Sequence, residues 1–89
     1  MTTTALATTD VTSVDDGRAR IDEIDAALIE LLARRRAVSQ QIQRLRVEAG
    51  GSRVEHSREN AIIRHWADAL GDGGAEMALA VLGHCRGRR

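Results

Sequence analysis

Lysine, proline, phenylalanine and tyrosine are all missing from this chain of 89 residues, which has a single tryptophan and a single cysteine. Each absence excludes something. Without proline, no helix is interrupted from within. With Trp66 as the lone aromatic, a chain this short cannot bury much apolar surface by itself, and association is the cheapest remedy. One cysteine, Cys85, excludes an internal disulfide and supplies no metal pair. His56, His65 and His84 are too scattered for a recognised zinc spacing, so no metal site is expected. There is no excess of positive charge either, since 13 acidic residues balance 13 basic ones. A nucleic-acid binder would show a basic surplus or stripe, so no nucleic-acid partner is expected. No run approaches the ~18 apolar residues of a membrane span. The N-terminus lacks the basic start and apolar core of a signal peptide. The expectation is a cytoplasmic protein with no membrane partner.

What is present reads as helix throughout, with no strand signals and no internal repeats. Residues 1–14 are Thr-rich and without helical period, a disordered lead-in; residues 15–89 form the folded domain. A first helix is expected from about Ser13 to Ala49. Ser13-Val14-Asp15-Asp16 resembles a capping box at its start, and Gly50-Gly51 marks its end. At 1.5 Å per residue, ~35 residues span about 50 Å, more than a domain of this mass needs, so the helix must project into a partner. A second helix starts near the next capping-box match, Ser52-Arg53-Val54-Glu55, and ends at Gly71-Asp72-Gly73-Gly74. Its stripe is Ile62, Ile63, Trp66, Ala67 and Leu70, with Trp66 in the core. A third, from about Ala75 to Cys85, carries Met77, Ala78, Val81, Leu82 and Cys85 on one face.

Along the first helix, Ile21, Ile24, Leu28, Leu31, Arg35, Val38, Ile42 and Leu45 recur at spacings of three and four, an a/d seam for packing against other helices. Arg35 breaks it. A cation at a core position costs several kcal/mol unless an anion meets it there. The anion is either an Asp or Glu of a neighbouring helix or a ligand. Arg46 lies 11 residues on, about 20° away around the axis and ~16 Å along it, so both guanidiniums point almost the same way. Arg34, Arg36 and Arg44 fall on the outer arc and are solvated. Arg18 is ~25 Å upstream and rotated by roughly 100°, so it cannot reach the same ligand within one chain. In an antiparallel dimer it could complete the other subunit's site. On the second helix, Glu55, Arg58, Glu59 and Ile62 share one face. The free N–H groups of an opening turn favour an anion there. For Arg58 and Glu59, a solvated helix start is the competing reading.

These residues resemble a known family. Arg18-x6-Asp25, Leu31-Leu32-Ala33-Arg34-Arg35-Arg36, Arg46 and His56-Ser57-Arg58-Glu59 are similar to the all-helical (AroQ-type) chorismate mutases, and the resemblance extends from about Arg18 to Arg86. The Gly50-Gly51-Ser52-Arg53 turn and the short third helix look most like the small actinobacterial members. The resemblance implies an all-α fold of three helices per chain, with one long first helix, in an intertwined homodimer. It implies an isomerase that converts chorismate to prephenate on the route to phenylalanine and tyrosine, by a Claisen rearrangement that needs no cofactor. It also implies that Arg35, with Arg18 from the partner chain, grips the two substrate carboxylates. Arg46 would face the ether oxygen, and Glu59 the ring hydroxyl. Glu55 and Arg58 would belong to the same wall, and Arg86 would match a third-helix position that also contacts the ether oxygen. Some such members are activated by DAHP synthase, so that complex is a further expectation, although the Arg88-Arg89 end departs from the tail such members would carry. The short, glycine-flanked third helix implies weak activity alone, with a C-terminus ordered by substrate or partner.

Alternatives on the same fold are a 4-amino-4-deoxychorismate mutase and an isochorismate-pyruvate lyase. The lyase typically carries a lysine after the first helix, which this chain lacks. From a different class, a non-catalytic helical adaptor would pair its arginines internally.

Overall fold

Ser13 opens the first helix by a side-chain cap. Its Oγ accepts a hydrogen bond from the Asp16 backbone N–H at 3.0 Å, satisfying one of the donors that every helix start leaves unpaired. Helix α1 then runs Val14–Glu48. The expected capping box is shifted by one residue. The Asp16 carboxylate receives the Thr12 N–H at 3.1 Å, one residue before the cap, and also takes the Arg20 Nε–H at 3.3 Å. The Thr12 backbone N–H is the largest cause of a lowered pKa for Asp16; desolvation opposes it, and Arg20 adds to the lowering.

A computed structural model describes residues 10–51 and 55–86. These fall into two compact units, divided after Glu30. In the first, Ile21, Ile24 and Leu28 lie along α1 with about half their surface exposed, and Arg18 is exposed. In the second, Leu31, Val38, Ile42 and Leu45 are likewise exposed. No residue of α1 is buried. The seam is therefore apolar and uncovered within one chain, a large exposed apolar surface for a monomer.

Gly50 ends α1 in the left-handed region, φ 87°. Its N–H reaches the Val47 carbonyl at 2.9 Å and that of Gly51 reaches Arg46 at 2.7 Å, the paired bonds of a Schellman cap. The second capping-box match, Ser52-Arg53-Val54-Glu55, falls mostly outside the described residues. Helix α2 is His56–Leu70, with Glu55 at the N-cap and no side-chain cap bond. Gly71 closes α2 with φ 75°.

Helix α3, Gly74–Arg86, packs on α2. The approach is close where α3 begins: a Cβ on Gly74 would stand 2.5 Å from the Trp66 carbonyl oxygen, so only glycine fits. The buried residues of α3 are Gly74, Ala78, Leu82 and Cys85, spaced four, four and three, one helix face. Met77, expected on that face, is 56% exposed, because it lies a quarter-turn from Ala78. Val81 is half-buried, and so is Trp66, which was expected in the core. The fully buried apolar set is Ala78, Leu82 and Cys85. Two short helices cannot enclose an indole without a further layer.

The described residues are all helix and connecting turn, with no strand. No helix among them is long and apolar enough to cross a membrane.

Candidate active site

In the second half of α1 a polar face runs beside the aliphatic seam and shares one seam position with it, Arg35. Arg35, Ser39, Gln43 and Arg46 follow one another at four, four and three residues, which stacks them along one side of the helix. Together with the start of α2 and the end of α3 they line a cavity of about 380 Å³. Glu55, Arg58, Glu59 and Ile62 supply the α2 side; Leu82, Cys85 and Arg86 supply the α3 side. That volume falls in the range of small-molecule sites.

Six of the seven residues expected from sequence thus come together: Arg35, Arg46, Glu55, Arg58, Glu59 and Arg86 all line this cavity. Arg18 does not line it. Ser39 and Gln43 were not singled out, although their spacing from Arg35 carried the signal. Cys85, expected to be a small buried hydrophobe, is 1% exposed and also forms part of the floor.

The electrostatics are asymmetric. Four arginines face two glutamates. Arg86 Nη2 donates to Glu59 Oε2 at 2.8 Å, a charge-assisted bond of good length. Arg86 Nε is buried and has no hydrogen-bond partner. Arg46 Nη1 stands 3.9 Å from Glu55 Oε1, close enough for Coulombic attraction but too far for a hydrogen bond. Arg35 and Arg58 form no ion pair with any described carboxylate. Arg35 is half-buried, so its charge is partly withdrawn from water and is unmatched by any described carboxylate. An anion entering the cavity would supply the match. Among the described residues no three His, Cys, Asp or Glu side chains gather as a metal site would.

Comparison with known proteins decides the family. The profile of Chorismate mutase type II matches residues 17–81. The chain belongs to the type II chorismate mutase family. Relatives include the intracellular chorismate mutase of Mycolicibacterium smegmatis, 44% identical over 78 residues, which are 88% of this chain and 75% of that protein. The intracellular chorismate mutase of Mycobacterium tuberculosis H37Rv is 38% identical over 78 residues, 88% of this chain and 73% of its own. A similar solved structure is a non-covalent complex of DAHP synthase and chorismate mutase from Corynebacterium glutamicum with a bound transition-state analogue. There the TM-score is 0.81 at 32% identity, over 85% of this chain and 92% of that one. The helical mutase fold expected from sequence is thus the fold found, and the activity is that of a chorismate mutase, an isomerase.

Proposed function

We propose that the cavity between Arg35, Arg46 and Glu59 is where chorismate is rearranged to prephenate. One observation carries this reading: Arg35 lines a cavity of substrate size and no described carboxylate neutralises it. Chorismate is a dianion. Arg35 receives one carboxylate, and Arg18 from a second copy of the chain closes on the other. Arg46 faces the ether oxygen, which gains negative charge as its bond to the ring breaks and the new C–C bond forms within the same molecule. Glu59 accepts the ring hydroxyl, Arg58 adds positive potential to the wall, and Glu55 steadies Arg46 from 3.9 Å. Arg86 adds a cation at the end of α3.

No proton is transferred and no covalent intermediate forms. Catalysis is therefore of two kinds. Holding a flexible dianion in its folded, reactive conformer supplies orientation. A fixed cation aimed at the developing ether charge supplies electrostatic preorganisation. Val38, Ile42, Ile62 and Leu82 keep the lining partly apolar, which strengthens both charged contacts.

The assembly that fits this reading is a homodimer. Its support is the uncovered seam of α1, from Ile21 to Leu45, on a chain whose described buried apolar residues are only Ala78, Leu82 and Cys85. Residues 15–89 are then the catalytic domain, residues 1–14 a lead-in, and the protein acts in the cytoplasm. An activating complex with DAHP synthase is supported by the Corynebacterium glutamicum assembly. Purified protein mixed with chorismate tests the activity: chorismate should disappear with prephenate as product, and more quickly when DAHP synthase of the same organism is added. Chorismate left unchanged by concentrated protein, with or without that synthase, would reject the reading.

A further inference from the structure

Both carboxylates of the cavity are already facing a guanidinium, and one of the two is held tightly. Glu59 Oε2 accepts from Arg86 Nη2 at 2.8 Å, while Glu59 Oε1 makes no hydrogen bond to a described residue. Side-chain exposure is 24% for Glu59 and 39% for Arg86, so the pair sits in the wall of the cavity with limited access to water. The other carboxylate, Glu55, faces Arg46. With four arginines to two glutamates, the lining has no uncompensated negative charge.

We propose that Arg86 is a specificity-determining residue: by occupying Glu59 Oε2 it holds that end of the cavity near electroneutrality, so that Glu59 favours a substrate hydroxyl over an ammonium. The proposal rests on the reading that Glu59 meets the ring substituent. Two substrates of this shape differ at that position. Chorismate carries a hydroxyl, and 4-amino-4-deoxychorismate carries an amine that is protonated near neutral pH. The free oxygen of Glu59 can accept a hydrogen bond from either. The hydroxyl brings no charge, so the guanidinium beside Glu59 does not oppose it. The ammonium must shed water and then meets a carboxylate whose charge is already matched by the Arg86 cation beside it in the cavity wall. Discrimination thus comes from a repulsive element placed beside an attractive one. The buried Arg86 Nε, which has no partner, reinforces this, because no second carboxylate neutralises the rest of that cation's charge.

The test is the ratio of kcat/KM for chorismate to that for 4-amino-4-deoxychorismate, measured at neutral pH. The unaltered protein should favour chorismate. Arg86→Gln should lower the ratio by about tenfold or more, whereas Arg86→Lys, which keeps the cation, should stay close to the original. A helix end that merely stabilises the fold would lower both rates together and leave the ratio alone. That result in Arg86→Gln, with unchanged circular dichroism, would overturn the proposal. If turnover of both compounds is lost, their calorimetric affinities for Arg86→Gln give the corresponding ratio, which is read in the same way. Glu59→Gln separates the two layers of the argument. Its activity on chorismate should fall at least about tenfold. An unaffected Glu59→Gln protein would remove the reading of Glu59, and this proposal with it. A crippled Glu59→Gln protein beside an unchanged ratio in Arg86→Gln would sink the proposal alone.

Discussion

The two halves of α1 obey the same a/d spacing and use it differently. Up to Glu30 the seam is Ile21, Ile24 and Leu28, all aliphatic and all exposed, and the ordered polar contacts are those of the helix start, centred on Asp16. From Leu31 onward the same seam contains Arg35, and the face beside it carries Ser39, Gln43 and Arg46 into a cavity. A seam that is apolar throughout asks only for another helix. One interrupted by a half-buried guanidinium asks for an anion as well. Under the proposed reading, α1 would serve association along its whole course and ligand binding along its second half.

The largest break in this contrast should come from Arg35→Ala. Steady-state assay should show turnover reduced by about 10²–10³-fold or more, with circular dichroism and sedimentation unchanged. Full activity would return Arg35 to the status of a structural residue. Arg46→Ala should follow, with a loss of roughly 10²-fold falling on kcat more than on KM, because its contact strengthens as the ether bond breaks. Equal losses in both constants would mean that Arg46 binds without catalysing. In the other half, Leu28→Ala should weaken the dimer by about 1.5–3 kcal/mol, the worth of one buried leucine, read as a shift in the sedimentation equilibrium. A dimer of unchanged strength would place Leu28 outside the interface.

The smallest effects belong to the helix start. Ser13→Ala removes the cap to Asp16 N–H and should cost about 1 kcal/mol of stability, measured by urea unfolding, with no change in turnover per folded molecule. The Asp16 pKa is lowered below its ordinary value of 3.8. A group lowered in the folded state stabilises it above the unfolded pKa, and that contribution is lost as pH falls through the folded value. Acid should therefore loosen this end of α1, and Asp16→Asn should abolish that part of the acid sensitivity. An identical acid profile in the variant would show that the carboxylate makes no such contribution.

The helices are legible in the sequence because their signals are local. Ser13, the Gly50-Gly51 pair and Gly71 each act within a few residues; Ser13 opens α1, and the glycines close α1 and α2. The second start is less legible, since α2 begins at His56 with Glu55 as its N-cap and no side-chain cap bond, so no local signal marks it. Met77 and Trp66 depart from expectation for a related reason. A stripe drawn from composition is broader than the face two short helices can bury, and Gly74, the residue that lets α3 approach Trp66 most closely, has no side chain to announce itself.

Arg35 stands out because it violates an otherwise apolar series. Ser39 and Gln43 do not, because neutral polar residues on a helix are commonplace until the face they share is seen to meet a cavity. The Arg86–Glu59 pair is hidden in another way. Its members are 27 residues apart, and only the packing of α3 on α2 brings them within reach. Sequence offers both residues to the substrate, and their attachment to each other is a property of the fold.

The central claim is that cations from two copies of the chain hold one dianionic substrate, and subunit mixing tests it most directly. Arg18→Ala and Arg35→Ala proteins, each inactive alone, should recover part of the chorismate turnover when mixed, since a hybrid pair keeps one complete site. No recovery, with hybrid dimers demonstrated by native mass spectrometry, would contradict the account.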